Sequence, residues 1–138
     1  MSARALEITI LTAARTSEML GATWAEMDFR ARIWIIPAER MKARREHRVP
    51  LSAPAVAILR ELSKIQQSDF VFHGTKQGRP LSQMAMLMLL RRMGYAHITT
   101  HGFRSSFRDW TAECTNFPRE VAEMALAHAL PGHNERTD

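Results

Sequence analysis

Apolar residues recur at helical spacing along most of the chain. Over residues 2–13 they line one side, which predicts an amphipathic helix, and Ser17 to Gly21 has a second, shorter helical pattern after a break near Arg15. Gly21 is expected to end that short helix. Further helices are predicted over residues 53–67, over residues 82–92, from His101 onward, and from Pro118 to Leu130.

Two of these helices carry apolar residues that we expect to face the core. In the helix over residues 53–67 the inward positions are Val56, Ile58, Leu59, Leu62 and Ile65. The helix over residues 82–92, with Ser82 as its predicted cap, has a methionine-rich stripe of Met84, Met86, Leu87, Met88, Leu89 and Leu90. Such a stripe is typical of core packing.

A different pattern occupies the stretch between the second and third predicted helices. Residues 29–37 are rich in β-branched and aromatic side chains, and residues 45–51 alternate between apolar and polar. Together they predict a small antiparallel sheet. Phe70 to Phe72 is either a short strand or a buried connector. The predicted fold class is α+β, mostly α-helical with a small antiparallel β-sheet, in one domain over residues 1–138.

The net charge is positive, since 19 lysines and arginines face 14 aspartates and glutamates. This excess favours a polyanionic partner, although many ordinary proteins are basic. The basic residues are concentrated at the tip of the predicted hairpin, where they include Arg40, Arg44, Arg45 and Arg48. That segment is either a solvated loop or a contact with a phosphate backbone.

Membrane and secreted proteins fit the composition less well. No stretch approaches the roughly 20 apolar residues that span a bilayer, so we expect no membrane partner. The first residues also lack an apolar signal core. Cys114 is the only cysteine, which excludes an internal disulfide and fits a reducing compartment. We therefore expect a cytoplasmic protein.

His101 and Arg104 are the most suggestive candidates for chemistry. Thr99 and Thr100 precede them as candidate helix N-caps, and residues three apart on a helix share a face. An arginine fork binds two phosphate oxygens at once, and a histidine whose pKa lies near neutrality exchanges a proton beside it. A phosphodiester is therefore the obvious ligand, although this spacing alone also arises often by chance.

Three other positions have both an ordinary and a functional interpretation. Arg15 is followed one turn later by Glu18, which either makes a surface ion pair or holds a buried arginine. Lys42, at the predicted hairpin tip, is either solvated or reaches into a site. His128 projects from an apolar helix, where a histidine is usually a satisfied core residue.

Taken in order, these motifs resemble the catalytic domain of tyrosine recombinases, the phage integrase family. The motifs that carry the resemblance are Arg15-x-x-Glu18, Lys42 in a β-hairpin, His101-x-x-Arg104 and Leu126-Ala-His128. The stretches around them, residues 12–18, 34–51, 90–95 and 100–104, are similar to prophage and genomic-island integrases. The resemblance covers nearly the whole chain and implies the tyrosine-recombinase fold.

The resemblance implies a reaction in which a tyrosine attacks a DNA phosphodiester. The products are a 3′-phosphotyrosine and a free 5′-hydroxyl, with no metal and no cofactor. The implied partner is double-stranded DNA at attachment or recombination sites, on which the full-length protein assembles as a tetramer. The chain then corresponds to the catalytic domain of a longer integrase, without its N-terminal DNA-binding domain and its C-terminal tyrosine segment.

Family position also implies a role for each motif residue. Arg15 and Arg104 clamp the non-bridging oxygens, and loss of such a donor typically costs about 10²–10³ in rate. Lys42 protonates the leaving 5′-oxygen, while His101 assists proton transfer at the nucleophile. His128 donates a hydrogen bond to the phosphate. Glu18 orients Arg15 or a neighbouring group.

The sequence departs from the family where the nucleophile is expected. The family's tyrosine follows the final histidine closely, but residues 129–138 contain no tyrosine. Tyr95 is the only tyrosine and lies before His101, in the wrong place. The chain is interpreted as a cloned fragment, as a degenerate gene product, or as part of a longer protein. In each case we expect no covalent DNA adduct from this chain alone.

The sequence is also compatible with three alternatives. The first is a catalytically dead DNA-binding or regulatory remnant that keeps the fold and the phosphate site. The second is a metal-dependent hydrolase, since His97 and His101 are four residues apart, although the threonines between them are expected to break a helix. The third is a type IB topoisomerase, which shares the catalytic chemistry, but the sequence around Lys42 and Tyr95 favours integrases.

Overall fold

The computed structural model describes residues 1–127. Within them the chain forms, in order, α1 (Ser2–Thr12), α2 (Thr16–Leu20), β1 (Met27–Asp28), β2 (Ile33–Ile36), β3 (His47–Pro50), α3 (Ala53–Ser63), α4 (Met84–Arg92), α5 (Gly102–Cys114) and α6 (Arg119–Ala125), with single 3₁₀ turns at Trp24–Glu26 and Ala38–Arg40. The predicted fold class, mostly helical with a small antiparallel sheet, is confirmed. No helix in this part of the chain is both long and apolar enough to cross a membrane.

The sheet is antiparallel in the order β1-β2-β3. Its register pairs Trp34 with Val49 and Ile36 with His47. Trp34 and Ile36 are completely buried, so this face of the sheet packs on the core. Because side chains alternate along a strand, His47 and Val49 lie on the buried face and Arg48 lies on the opposite face.

The predicted strand over residues 29–37 is wrong in its first half. The strand β2 begins only at Ile33, and residues 29–32 form the turn that connects it to β1. The side chain of Asp28 accepts a hydrogen bond from the backbone N–H of Ala31 at 2.9 Å, and Arg32 adopts a left-handed conformation with φ of 56°. These local features close a turn where the composition predicted extended backbone.

The helix α1 lies at the centre of the helical layer, in contact with α2, α3, α4 and α5. Its Ile8 is almost fully buried together with Leu59 of α3 and Met86 of α4. Phe72 is also completely buried, in the connector over residues 70–72 that the sequence left open between strand and connector. Position 70 makes only an isolated bridge to Thr23.

Two predicted apolar faces are only partly correct. The helix α3 ends at Ser63, so the predicted inward residue Ile65 is 57% exposed. In α4 only part of the methionine-rich stripe is core: Met84 and Met88 are 49% and 46% exposed. This helix also begins at Met84 without a side-chain cap, so the predicted capping role of Ser82 is wrong.

A largely buried carboxylate, that of Glu26, holds the segment before β3. Glu26 is the acceptor for Arg40, whose Nε and Nη2 donate at 2.8 and 2.7 Å, and for the indole N–H of Trp34 at 3.2 Å. Arg40 Nη2 also donates to the backbone carbonyl of Glu18 in α2 at 3.0 Å. The segment before β3 is therefore fixed to the turn at residues 24–26 by a bidentate ion pair and to α2 by the hydrogen bond to Glu18.

We predict that Arg40→Ala destabilises the chain by about 3 kcal/mol, because it leaves the Glu26 carboxylate, only 9% exposed, without its charged partner. Arg48→Ala is the matched control in the same hairpin: its ion pair with Glu46 is exposed on both sides and such pairs contribute about 0–1 kcal/mol. Urea unfolding followed by circular dichroism measures both. Equal losses for the two variants would contradict this account.

Candidate active site

The end of α1 places Arg15 at the start of α2. The helix stops at Ala13, which adopts a left-handed conformation with φ of 53°. The hydroxyl of Thr12 supports this stop, since it donates to the carbonyl of Ile8 at 2.7 Å and accepts from the backbone N–H of Ala14 at 3.3 Å. The chain then turns, and Arg15 becomes the N-cap residue of α2 with its side chain 24% exposed.

Glu18 holds Arg15 in two ways. Its carboxylate accepts from Arg15 Nη1 at 3.3 Å and from the backbone N–H of Arg15 at 3.1 Å. The Glu18 side chain is only 3% exposed, so the carboxylate is fixed and orients the guanidinium. The structure thus brings together the two residues that the sequence spacing paired.

Arg104 connects two helix ends. It lies in the first turn of α5 and is 3% exposed. Nη1 donates to the carbonyl of Ala13 at 2.5 Å and Nη2 donates to the carbonyl of Leu126 at 2.6 Å. Both carbonyls are at the C-terminal ends of helices, where backbone acceptors have no intrahelical partner. These bonds fix the plane of the guanidinium.

The two arginines are close enough for their charges to interact. Burial lowers the pKa of Arg104, the positive charge of Arg15 lowers it further, and the carboxylate of Glu18 opposes both. An arginine stays protonated at neutral pH even so. The site therefore contains two fixed cations and one buried carboxylate, an arrangement suited to an anion with several oxygens.

His101 lies at the N-cap position of α5 and is exposed, in contrast to the buried Arg104. The first turn of the helix is capped by Thr99, whose hydroxyl accepts from the backbone N–H of Gly102 at 3.1 Å. Of the two predicted capping threonines, Thr99 makes this contact. Thr100 is buried.

The hairpin presents its basic residues in two ways. Lys42, Arg44 and Arg45 are exposed in the turn before β3, and Arg48 is exposed on the outer face of the strand. Arg40 is different, because its guanidinium is directed inward to Glu26. The contact of Arg40 with DNA stays a prediction. The internal ion pair does not favour that contact, because it already occupies the guanidinium.

His47 is a site residue that the sequence analysis missed. It is half-buried on the core-facing side of the hairpin, and the charges of Glu18, Arg104 and Arg15 act on its imidazole. Burial lowers the pKa of His47 and the two arginines lower it further, while Glu18 and a hydrogen bond to the backbone of Ala125 raise it. The alternation of side chains along residues 47–50 places His47 on the same face as the buried Val49 and could have revealed it. The basic residues on either side of His47 obscured this pattern.

Some predicted features lie outside the described residues. These are His128 and the tyrosine-free segment 129–138. The last helix was predicted to reach Leu130, but α6 ends at Ala125, and Ala127 adopts a left-handed conformation with φ of 57°. The chain thus turns immediately before His128.

His97 and His101 are not on one helix, because α4 ends at Arg92 and α5 begins at Gly102. Within residues 1–127, no three histidine, cysteine, aspartate or glutamate side chains are grouped so as to hold a metal ion.

Comparison with known proteins identifies the family. Residues 1–134 match the phage integrase family, so the chain belongs to that family. It is 39% identical over 130 residues to the prophage integrase IntZ of Escherichia coli (strain K12). The aligned region covers 93% of this chain and 32% of that protein. The chain thus spans about a third of the length of this curated relative.

Solved structures of recombinases have the same fold. XerA recombinase superposes with a TM-score of 0.72 at 14% identity, covering 94% of this chain and 54% of that one. A lambda integrase tetramer bound to a Holliday junction gives a TM-score of 0.67 at 16% identity, with 99% and 43% covered. The chain therefore has the fold of these recombinases, although the sequences are only 14% and 16% identical.

We predict that the free energy of unfolding decreases as the pH falls below about 6.5, the ordinary value for histidine. Because folding lowers the pKa of His47, the unfolded chain binds more protons between that lowered pKa and the ordinary one, so stability is lost as pH falls through this window. Above it, His47 is neutral in both states and has no effect. Urea unfolding of the wild type and of His47→Gln is measured from pH 7.5 downward. The contribution of His47 is the difference between the two slopes of the free energy of unfolding against pH. Identical slopes would refute it.

Proposed function

We propose that this chain is the catalytic domain of a longer tyrosine recombinase. The complete protein would cleave and rejoin DNA strands at specific sites through a 3′-phosphotyrosine, acting in the bacterial cytoplasm. The observation that carries the proposal is the pair of fixed arginines, Arg15 held by Glu18 and Arg104 held by two backbone carbonyls, in a chain of the phage integrase family.

The two arginines would stabilise the pentavalent phosphate. Negative charge builds up on its non-bridging oxygens in the transition state, and donors that are already oriented stabilise this charge without reorganisation. Glu18 orients Arg15, and the ends of α1 and α6 orient Arg104. The site is therefore pre-organised before a phosphate arrives.

Proton transfers would be made by residues at the edge of this pair. Lys42 lies in an exposed turn, which suits an ammonium that must reach the leaving 5′-oxygen of a bound duplex. His101 is exposed at the start of α5, where it would assist the attacking tyrosine. His128 would complete the set as a hydrogen-bond donor to the phosphate.

The nucleophile would come from outside this sequence. Residues 129–138 contain no tyrosine, so we propose that a segment of the longer protein, or a neighbouring protomer, supplies it. The lambda integrase tetramer bound to a Holliday junction supports assembly of the complete protein as a tetramer on DNA. The chain alone should then bind DNA without forming a covalent adduct.

The DNA backbone would contact the exposed basic residues of the hairpin: Arg44, Arg45 and Arg48. Arg40 would not belong to this set, because its guanidinium already binds Glu26. Contacts of this kind position the duplex without reading its sequence.

We predict that a chimera of IntZ forms a covalent adduct when its matching segment is replaced by this chain. The substrate is a nicked suicide duplex that carries the attachment site of IntZ, and the adduct is measured by denaturing gel. Arg15→Ala or Arg104→Ala in the chimera should lower the cleavage rate by about 10²–10³. Arg119→Ala is the control, because this arginine is 73% exposed on α6.

A chimera that is folded and binds its site but never forms the adduct would support the catalytically dead remnant instead. An adduct formed by the present chain alone would overturn the assignment of the nucleophile to another segment.

We predict that the chain binds duplex DNA of any sequence with an affinity that falls steeply between about 50 and 200 mM salt. Arg44→Ala and Arg48→Ala should each lower the salt slope by about one. The matched control is Arg30→Ala, which removes an exposed arginine from the β1–β2 turn. Fluorescence anisotropy measures the slopes. Equal effects of the three variants would show that the hairpin is not the contact surface.

A further inference from the structure

The helices α5 and α6 are joined at two points. The first is the hydrogen bond from Arg104 Nη2 to the carbonyl of Leu126 at 2.6 Å. The second is an ion pair between Arg108 Nη2 and Glu123 Oε1 at 3.1 Å. Arg104 and Arg108 are four residues apart on α5, so they share one face of that helix. Glu123 and Leu126 are three residues apart at the end of α6 and lie on one face in the same way.

The Glu123 carboxylate is the buried member of the second contact. Its side chain is 8% exposed, whereas that of Arg108 is 48% exposed. A carboxylate removed from water needs a charged partner, because its desolvation is otherwise uncompensated. Arg119 approaches the same oxygen, but at 3.8 Å and with a side chain that is 73% exposed. Arg119 belongs to the same helix as Glu123, so its ion pair does not fix α6 against α5, whereas that of Arg108 does.

The position of α6 depends on its neighbours. The helix has seven residues, and a helix this short is not stable by itself. Its main neighbour in the fold is α5. At its end the backbone N–H of Leu126 donates to the carbonyl of Ala122 at 3.1 Å, and the Leu126 side chain is completely buried. Because Glu123 and Leu126 are within one turn of each other, a displacement at Glu123 also displaces the Leu126 carbonyl.

That carbonyl is one of two backbone acceptors that orient Arg104. The other is the carbonyl of Ala13 at the end of α1. A displaced α6 would withdraw the Leu126 acceptor, and the plane of the guanidinium would no longer be fixed from both helix ends. Stabilisation of charge in a transition state depends on donors that are oriented in advance, so the cleavage rate would fall. The positive charge of Arg104 would remain, so the affinity for DNA would not.

We propose that Arg108 and Glu123 are positioning residues of the active site, whose ion pair holds α6 against α5 and so keeps the Leu126 carbonyl on Arg104. Neither residue needs to contact the DNA. The motifs that carry the family resemblance contain neither of them. This inference rests on the proposed function for its effect on cleavage, but its effect on α6 is independent of that function.

The position of α6 is tested in the chain itself by hydrogen exchange, measured by NMR. The amide of Leu126 reports the end of the helix, because it donates to the carbonyl of Ala122. Arg108→Ala should accelerate its exchange about tenfold. Glu123→Gln keeps the size of the side chain but removes its charge, and should accelerate the exchange as well. Arg119→Ala is the matched control: it removes an arginine from the same carboxylate without breaking the link to α5, and should leave the exchange near the wild-type rate.

In the IntZ chimera, single-turnover cleavage and DNA affinity are measured separately. Arg108→Ala should slow cleavage about tenfold without changing the affinity. The same substitution is then made in a chimera that already carries Arg104→Ala. If Arg108 acts through Arg104, it should have no further effect there, because the effects of residues that act as a unit are not additive. A merely structural role would lower the rate by the same factor in both backgrounds.

Three results would overturn the inference. The first is exchange at Leu126 that Arg108→Ala leaves unchanged, or that Arg119→Ala accelerates equally. The second is an equal slowing of cleavage by Arg108→Ala with and without Arg104. The third is a lower affinity and a lower salt slope in Arg108→Ala, which would make Arg108 a contact with the DNA backbone. If the parent chimera does not cleave, the proposed function fails, and exchange at Leu126 alone decides the role of the ion pair.

Discussion

One guanidinium connects the parts of the chain that form the site. Arg104 reaches from α5 to the ends of α1 and α6, which are the points from which the chain continues to Arg15 and to His128. A charged donor that bonds two buried carbonyls is strongly oriented, because either bond alone would leave an acceptor without a partner. The same residue that would bind phosphate therefore also sets the spacing of its neighbours, and binding and folding are not separable at this position.

The hairpin depends on a second internal charge pair. Arg40 pairs with Glu26 and also donates to the backbone carbonyl of Glu18 in α2, so the exposed turn with Lys42 is attached to the same helix that begins with Arg15. The exposed ammonium of Lys42 thus extends from a segment that is fixed at Arg40. This arrangement would suit the proton transfer proposed for Lys42, whereas groups that stabilise charge are best held still.

Local patterns in the sequence predicted most of the helices and the sheet, and the ordered motifs predicted the candidate site. What the sequence did not reveal includes contacts with distant partners and the points at which single elements end. The sequence does not show that Arg40 is directed inward while Arg44 is exposed, because the partner of Arg40, Glu26, is 14 residues away. Nothing near Arg104 indicates that it bonds Ala13, 91 residues earlier. Ile65 was placed inside because its spacing fits, but the helix ends before it. Tertiary contacts decided the first two cases, and the end of α3 at Ser63 decided the third.

The alternation in β3 gives two adjacent residues opposite surroundings. His47 lies on the core-facing side of the sheet, where the charges of Arg15 and Arg104 lower its pKa, and Arg48 lies on the outer face. Since a shift of one residue in strand pairing moves every side chain to the other face, such a shift would carry a permanent cation into the site and take the imidazole out. Changes in the length of the preceding turn are therefore tolerated only if the pairing of β2 with β3 is kept. The strand register is a determinant of the electrostatics of the site, as much as the identity of any residue in it.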